Sequence, residues 1–225
     1  AAGAIAGLNV LRIVNEPTAA ALCYGIGSNV TEMTLDDPPK NVLVFDFGGG
    51  TFDVSVITID AGAFEVRSTA GHTHLGGQDV DAAVVKFMLA DCKKKHQKDF
   101  ADNAKVLAKF RNMAEKAKKA LSHSTQHEIV VEGILDGDEY AMNLSRAKLE
   151  ELTAKLLDQC MVIVAKAIKD STLKKTDIHE VIMVGGSSRI PKIRNLLEKE
   201  FNKGPCCSVN PDEAIAVGAA IQASI

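Results

Sequence analysis

An α/β fold carrying an inserted α+β subdomain is the class this chain predicts, and three observations predict it. The first is Asn41–Asp60, where two apolar, β-rich runs flank Gly48-Gly-Gly-Thr51. The second is Val181–Phe201, a short apolar run, a Gly185-Gly-Ser-Ser188 turn and a helical pattern. The third lies between them, where a long stretch of helical period is interrupted by one strand pair. Two α/β blocks therefore bracket a helix-rich insertion.

The elements follow in order. Leu8–Val14 reads as a short buried strand, and Asn15-Glu-Pro17 as the entry to a helix through Tyr24, with Pro in the first turn where its missing N–H costs nothing. Gly25, Gly27, Ser28 and Asp36–Lys40 read as a polar linker. Val42, Val44 and Phe45 lead into the Gly48–Thr51 turn and Val54, Val56 and Ile57 lead out, which predicts a hairpin; a third strand is expected over Ala63–Thr69. Between Gln78 and about Ser124 the apolar residues Val80, Ala83, Val84, Phe87 and Met88 take helical spacing. Strands joined at Asp136-Gly-Asp follow over 128–143, then a helix capped by Ser145 to about Lys169. Val181–Val184, Ile190–Phe201 and a helix opened by Asn210-Pro-Asp-Glu213 complete the chain. Ala1–Leu8 reads as the end of a helix without a cap, so the chain is expected to be an excised segment. Its apolar stretches Ala1–Leu8 and Ala19–Ile26 are expected to pack on the remaining lobe or on another copy.

Composition narrows the function. With 225 residues, 46% hydrophobic and 24% charged, the chain can bury a full core, and membrane-spanning and disordered classes drop out. A net charge of −3 argues against nucleic acid or an acidic membrane surface as partner. Cys23, Cys92, Cys160, Cys206 and Cys207 are odd in number and scattered, which favours free thiols in a reducing compartment and makes the sequons at Asn29 and Asn143 weak acceptors. His72 with His74, and His123 with His127, have usable spacing for two metal ligands each but no obvious third.

The Gly48-Gly49-Gly50-Thr51 turn lacks the Cβ atoms that would hold a polyanion away, so successive amides can converge on phosphate oxygens. Asp46 and Asp53 flank it with hard oxygen donors suited to Mg²⁺ through water. A plain glycine-rich hairpin with solvated aspartates would look the same. Gly185-Gly186-Ser187-Ser188 before Arg189 is a second bare turn, at a helix start with partial positive charge. Neither is a Walker loop or a dinucleotide fingerprint. On a helix, Glu115, Lys118, Lys119 and Ser122 fall within an arc of roughly 100°. That face could hold ribose and base; a solvated helix with a Glu115–Lys119 pair has the same spacing.

Asn15-Glu-Pro-Thr-Ala-Ala-Ala, Phe45-Asp-Phe-Gly-Gly-Gly-Thr-Phe-Asp-Val-Ser, Thr73-His-Leu-Gly-Gly, Val184-Gly-Gly-Ser-Ser-Arg-Ile-Pro and Val209-Asn-Pro-Asp-Glu-Ala resemble, in order, the seventy-kilodalton heat-shock chaperone family. The resemblance runs the length of the chain and corresponds to the C-terminal lobe of that family's nucleotide-binding domain. It implies an actin-like, ribonuclease H-like ATPase fold, with 1–37 as the tail of the preceding lobe and linker, 38–75 and 154–225 as the core, and 76–153 as the inserted outer subdomain. It implies ATP or ADP with Mg²⁺ as ligands. Gly48–Thr51 resemble the second phosphate loop. Asp46, Glu16 and Asp53 resemble the acids around the hydrated ion and attacking water, with Thr51 beside them. Gly77 belongs to the Thr73–Gly77 motif at the same site. Gly185, Gly186, Ser187 and Arg189 resemble the adenosine turn, Glu115, Lys118, Lys119 and Ser122 the ribose and adenine face, and Asp212 the residue beneath the sugar. Lys119, Gln78 and His72 stand where the family usually has Arg, Glu and Asp. The family's first phosphate loop and catalytic Lys are expected upstream of residue 1 and its peptide-binding domain downstream, so the segment alone should have little turnover. Implied partners are nucleotide-exchange factors, J-domain co-chaperones and unfolded polypeptide, in the cytoplasm. A docking module for exchange factors, and an actin-like sugar kinase or filament protein, are the rival readings.

Overall fold

The computed structural model describes residues 1–27, 37–134, 139–206 and 210–224. The Asp136-Gly-Asp turn, Cys207 and most of the 28–40 linker lie outside the described residues.

Four strands build the main sheet: β1 (Lys40–Phe47), β2 (Phe52–Asp60), β3 (Ala63–His72) and β4 (Glu180–Val184). Their order is β3-β2-β1-β4, antiparallel throughout except for the parallel β1–β4 pair. β1 and β2 are apolar along nearly their whole length because the sheet is covered on both sides. Ala61 and Gly62 both take positive φ, 44° and 81°, which matches the right-handed twist that a two-residue connection between Asp60 and Ala63 requires.

One face carries Val42, Val44, Ile57, Ile59, Ile182 and Val184 and is buried beneath Ala20, Ala21 and Tyr24 of α1 (Glu16–Gly27) and Ala214, the first residue of α2 (Ala214–Ser224). Leu43, Phe45, Phe47, Phe52, Val54 and Val56 point the other way. Phe45 and Phe52 stack with ring centres 4.7 Å apart, and Phe47 meets Phe52 edge-on. This second face joins a continuous core with α3 (Gly77–His96), α4 (Ala104–Ala120), α5 (Arg146–Asp170) and α6 (Pro191–Phe201). A small antiparallel pair, β5 (Gln126–Val131) and β6 (Tyr140–Ser145), follows α4 in sequence and packs with it through Leu121, Ile129 and Tyr140.

Local chemistry fixes the helix ends. Asn103 Oδ1 accepts from the amide of Val106 at 3.1 Å to start α4, and Ser145 Oγ accepts from Lys148 at 3.1 Å to start α5. Pro191 begins α6, and Asn202 ends it in the left-handed region.

Three expectations need correction. Leu8–Val14 is not a strand but extended chain lying mostly in solvent, because no partner strand runs beside it. Beyond one helical turn at Ala2–Ile5, the opening segment leaves Ile5, Leu8, Leu11 and Ile13 between 68% and 89% exposed, so only Ala19–Tyr24 finds cover as expected. The helical run from Gln78 splits into α3 and α4, since Gln97 takes φ 55° and closes α3 in a left-handed cap. No described helix is long and apolar enough to cross a membrane.

α1 and α2 approach closely at one point. A Cβ on Gly218 would stand 1.8 Å from the carbonyl oxygen of Ala19, so only glycine permits the crossing. Gly218→Ala should therefore lower stability by about 2–3 kcal/mol despite the better helix propensity of alanine. Thermal unfolding checks this, with Ala216→Gly, on the exposed side of α2, as the helix-propensity control.

Candidate functional site

The parallel register of β1 and β4 aligns Asp46 with Val184, so both strands end at the same level. The two glycine turns leave from neighbouring strand ends. Contact between them is direct: a Cβ on Gly185 would lie 2.4 Å from the carbonyl oxygen of Phe47 and 3.0 Å from Asp46 Oδ1, and Gly185 takes φ 82°. A side chain there would separate the strands' ends.

Gly48–Thr51 close the β1–β2 hairpin, with the Gly48 amide donating to the Thr51 carbonyl at 3.1 Å. The start of α3 rests on this tip. Amides of Gly77 and Gln78 donate to the carbonyls of Gly48 and Gly49 at 3.0 and 2.8 Å, and a Cβ on Gly76 would meet Gly49 oxygen at 2.5 Å. Cβ atoms on Gly49 or Gly50 would meet nothing within 4 Å, so these two residues face open space. The tip is braced from behind and bare in front.

Asp46 and Asp53 are cross-strand partners and share a face of the sheet. Gly71 on β3 completes the row opposite Asp53, whose carboxylate occupies the space a Cβ on Gly71 would fill, at 2.1 Å. Glu16, in the first turn of α1, adds a third carboxylate close enough to be felt at Asp46. Burial, then Glu16, then Asp53 push the Asp46 carboxyl up to about 6, and burial raises Asp53. Every influence on Asp46 opposes its negative charge, which is the signature of a place fitted for a cation. Among the described residues no three acidic, histidine or cysteine side chains converge as direct ligands of one ion.

After β4, Gly186–Arg189 form a single 3-10 turn with Ser187 and Ser188 buried, Ser188 Oγ donating to the Gly185 carbonyl at 2.6 Å. The 210–212 loop clasps this turn. Gly185 donates its amide to the Pro211 carbonyl, Arg189 reaches Asp212 Oδ2 through Nη2 at 2.6 Å and Nε at 3.1 Å, and Arg189 Nη2 reaches Asn210 Oδ1 at 2.7 Å. Asp212 Oδ1 lies 3.1 Å from the Cβ position of Gly186.

α4 brings the remaining predicted residues. Glu115 and Lys119 pair on the exposed helix surface at 2.7 Å, and Lys119 is near enough to Asp212 to sense its charge. Ser122 and Arg189 share the wall of a pocket of about 500 Å³ with Met183 and Pro211. Lys118 departs from the expectation of a shared open face. Its ammonium is largely buried, bonded to Asp81 Oδ2 at 2.8 Å and to the Gly77 carbonyl at 3.0 Å. Asp81 and Gly71 are the residues that sequence reasoning missed. The Asp81 signal was a carboxylate one residue past Val80, on the packed side of α3, and the Gly71 signal was a glycine at the end of a strand beside a carboxylate.

His72 ends β3 and His74 follows it, both exposed, with the His74 amide donating to His72 Nδ1 at 3.1 Å, and Cys23, Cys92 and Cys160 are free thiols.

The Hsp70 protein family model matches residues 1–225. This chain belongs to the Hsp70 family. It is 50% identical to a heat shock cognate HSP70 protein of Trypanosoma brucei brucei, 48% to a heat shock 70 kDa protein of Neurospora crassa and 47% to one of Emericella nidulans, each across 100% of the chain. It spans about a third of the length of these relatives, 33%, 34% and 34% respectively. The fold is accordingly the actin-like ATPase class of the Hsp70 nucleotide-binding domain, and the mixed sheet flanked by helices agrees with it.

The raised Asp46 carboxyl has a measurable consequence in metal-free buffer. Because its folded pKa stands above the ordinary 3.8, the stability it contributes is present below pH 4 and lost as pH rises through about 6. The displacement is worth at most about 3 kcal/mol, which partial solvent exposure screens to about 1–2 kcal/mol. Asp46→Asn should raise the melting temperature at pH 7.5 and leave it almost unchanged at pH 4, as followed by circular dichroism in EDTA.

Proposed function

We propose that this chain is the nucleotide-binding lobe of an ATP-dependent chaperone, and that in the whole protein it couples ATP hydrolysis to the binding and release of unfolded polypeptide. The observation that carries this is the contact between the two glycine turns. The Gly48–Thr51 turn and the Gly185–Ser187 turn leave from neighbouring ends of parallel strands, with Gly185 against Phe47 at the end of β1, which supports one ligand with phosphates at one end and a nucleoside at the other.

In this reading Gly49, Gly50 and Thr51 direct N–H groups at phosphate oxygens, and Gly48, whose N–H is held by the Thr51 carbonyl, shapes the turn. Gly185, Gly186, Ser187 and Arg189 border the adenosine, with Asp212 beneath the sugar and Glu115, Lys118, Lys119 and Ser122 along the α4 side. Gly77 joins the two halves. Asp46, Asp53 and Glu16 hold Mg²⁺ through its water shell; that ion, when bound, would neutralise phosphate charge. Asp46, Glu16 and Asp53, with Thr51, orient the attacking water, since phosphoryl transfer demands little of a protein beyond positioning and charge stabilisation.

Residues 38–75 and 154–225 form the core subdomain and 76–153 the outer one in this proposal, with 1–37 as the tail of a preceding lobe and linker. α5 crosses residue 153 as one continuous helix, which would make it the rigid link between the two. Nucleotide-exchange factors and J-domain co-chaperones are the partners implied, in the cytoplasm and in stress response. If the chain served only as a docking surface for exchange factors, adding ADP and Mg²⁺ would release no heat.

Titration calorimetry with ADP and Mg²⁺ should give saturable heat for the wild-type chain. Gly50→Val should abolish it, a loss of more than tenfold in affinity, without lowering the melting temperature, because a side chain there meets only open space in the free chain. Heat retained by Gly50→Val would refute the phosphate assignment.

Lys119→Arg should tighten ADP about two- to fivefold in the same titration. A planar guanidinium stacks on a purine where an ammonium offers only a point charge, and Lys119 lies on the solvent side of α4, free to be replaced without repacking.

A further inference from the structure

Lys118 and Asp81 form an ion pair unlike any other described in the chain. The ammonium and the carboxylate are 12% and 14% exposed, whereas every other described pair has at least one member more than 40% exposed. The pair joins α3 to α4 at the floor of the cleft. Only one Asp81 oxygen is used: Oδ2 accepts from Lys118 at 2.8 Å, while Oδ1 is buried with no hydrogen-bond partner. A carboxylate left half-satisfied in such a place costs more than a neutral residue of the same size would, so packing alone does not account for it.

The geometry of Lys118 supplies the reason. Its ammonium has three N–H donors. One goes to Asp81 and one to the Gly77 carbonyl at 3.0 Å, on the peptide that links the hairpin tip to α3. Next to that same glycine stands Ser187 of the second turn: a Cβ on Gly77 would meet Ser187 Oγ at 2.2 Å and Lys118 Nζ at 3.1 Å. The ammonium is thus pinned where α3, α4 and the 3-10 turn meet, with one donor left for a ligand between the two glycine turns. Without a partner for its charge, Lys118 would be free to turn along α4 toward Glu115 or out to solvent, as Lys119 already does.

We infer that Asp81 is a positioning residue for nucleotide binding, acting through Lys118 by holding its ammonium between the hairpin tip and the Ser187 turn. This rests on the nucleotide reading of the site and adds to it a residue that touches no ligand. Burial raises the Asp81 carboxyl above its ordinary value, and the bond to the Lys118 ammonium opposes that rise.

A double-mutant cycle in the 225-residue chain tests the inference, using Asp81→Asn, Lys118→Met and the double variant, with ADP and Mg²⁺ titrated by calorimetry and melting temperature measured alongside. Asp81→Asn keeps the shape and removes the charge. It should weaken ADP about tenfold in the wild-type background and less than twofold in the Lys118→Met background, where there is no ammonium left to position. Asp81→Glu, which restores the charge, should recover at least half of the lost binding on a logarithmic scale. A similar tenfold loss in both backgrounds would mean that Asp81 acts through packing and would overturn the inference, as would an Asp81→Asn affinity within twofold of wild type. Absence of ADP binding by the wild-type chain would instead sink the nucleotide reading and this inference together.

Discussion

The parallel pairing of β1 with β4 is the constraint on which the site depends. Strands that run the same way finish on the same edge of a sheet, and the register that sets Asp46 beside Val184 makes both chains turn at one level. Two glycine bends more than 130 residues apart in sequence then touch at Gly185 and Phe47. A slip of one residue in this pairing would turn Asp46 toward the apolar core and Phe45 and Phe47 out onto the face that now carries the carboxylates. The packing of Phe45, Phe47 and Phe52 against one another on the core face is therefore part of the site's specification, because it holds β1 in the register that leaves Asp46 on the other side.

Glycine acts here as a spacing device more than as a flexible one. Gly71 leaves room for the Asp53 carboxylate, Gly76 lets α3 sit on the hairpin tip, Gly77 admits Ser187 and Lys118, and Gly185 admits the end of β1. Of these four only Gly185 has a positive φ, so the others are fixed by neighbours and not by backbone freedom. Gly49 and Gly50 are different in kind. A Cβ on either would touch nothing within 4 Å, so packing does not explain why two consecutive side chains should be missing there. A bare backbone facing open space, backed by hydrogen bonds from Gly77 and Gln78 that hold it in shape, is the form an anion site takes before the anion arrives.

Much of this was legible in the sequence. The hairpin, its two flanking aspartates, the strand–turn–helix at Val181–Phe201 and the Ser145 cap could be read because each is a local pattern with a local cause: alternation, a glycine run, a hydroxyl before a helix. What escaped was whatever depends on a partner distant in the chain. Leu8–Val14 has the composition of a strand, but a strand exists only beside another, and none stands there. Lys118 shares an angular sector of α4 with Glu115, Lys119 and Ser122, yet the sector spans the boundary between solvent and α3. Asp81, on a different helix, decides on which side of the boundary Lys118 falls. Spacing gives the angle around a helix, and it cannot give what the helix is packed against.

The charges divide along the same line as the two turns. On the hairpin side the half-buried Asp46 feels the negative charges of Glu16 and Asp53, an arrangement that a cation would relieve. On the side of the second turn Arg189 is matched with Asp212, Lys119 with Glu115 and Lys118 with Asp81. A ligand entering there must exchange existing bonds for its own, which sets its affinity by fit and not by charge. A ligand entering at the hairpin brings phosphates that the three carboxylates would reject unless a metal came with them. The two halves thus ask for different things from one molecule: a neutral, shape-matched end and a polyanionic end already paired with a divalent ion. On the nucleotide reading proposed above, the hairpin would gain a reason to bind only when phosphate and metal arrive as a unit, and the state of the phosphates, rather than the presence of the base, would govern what the site does.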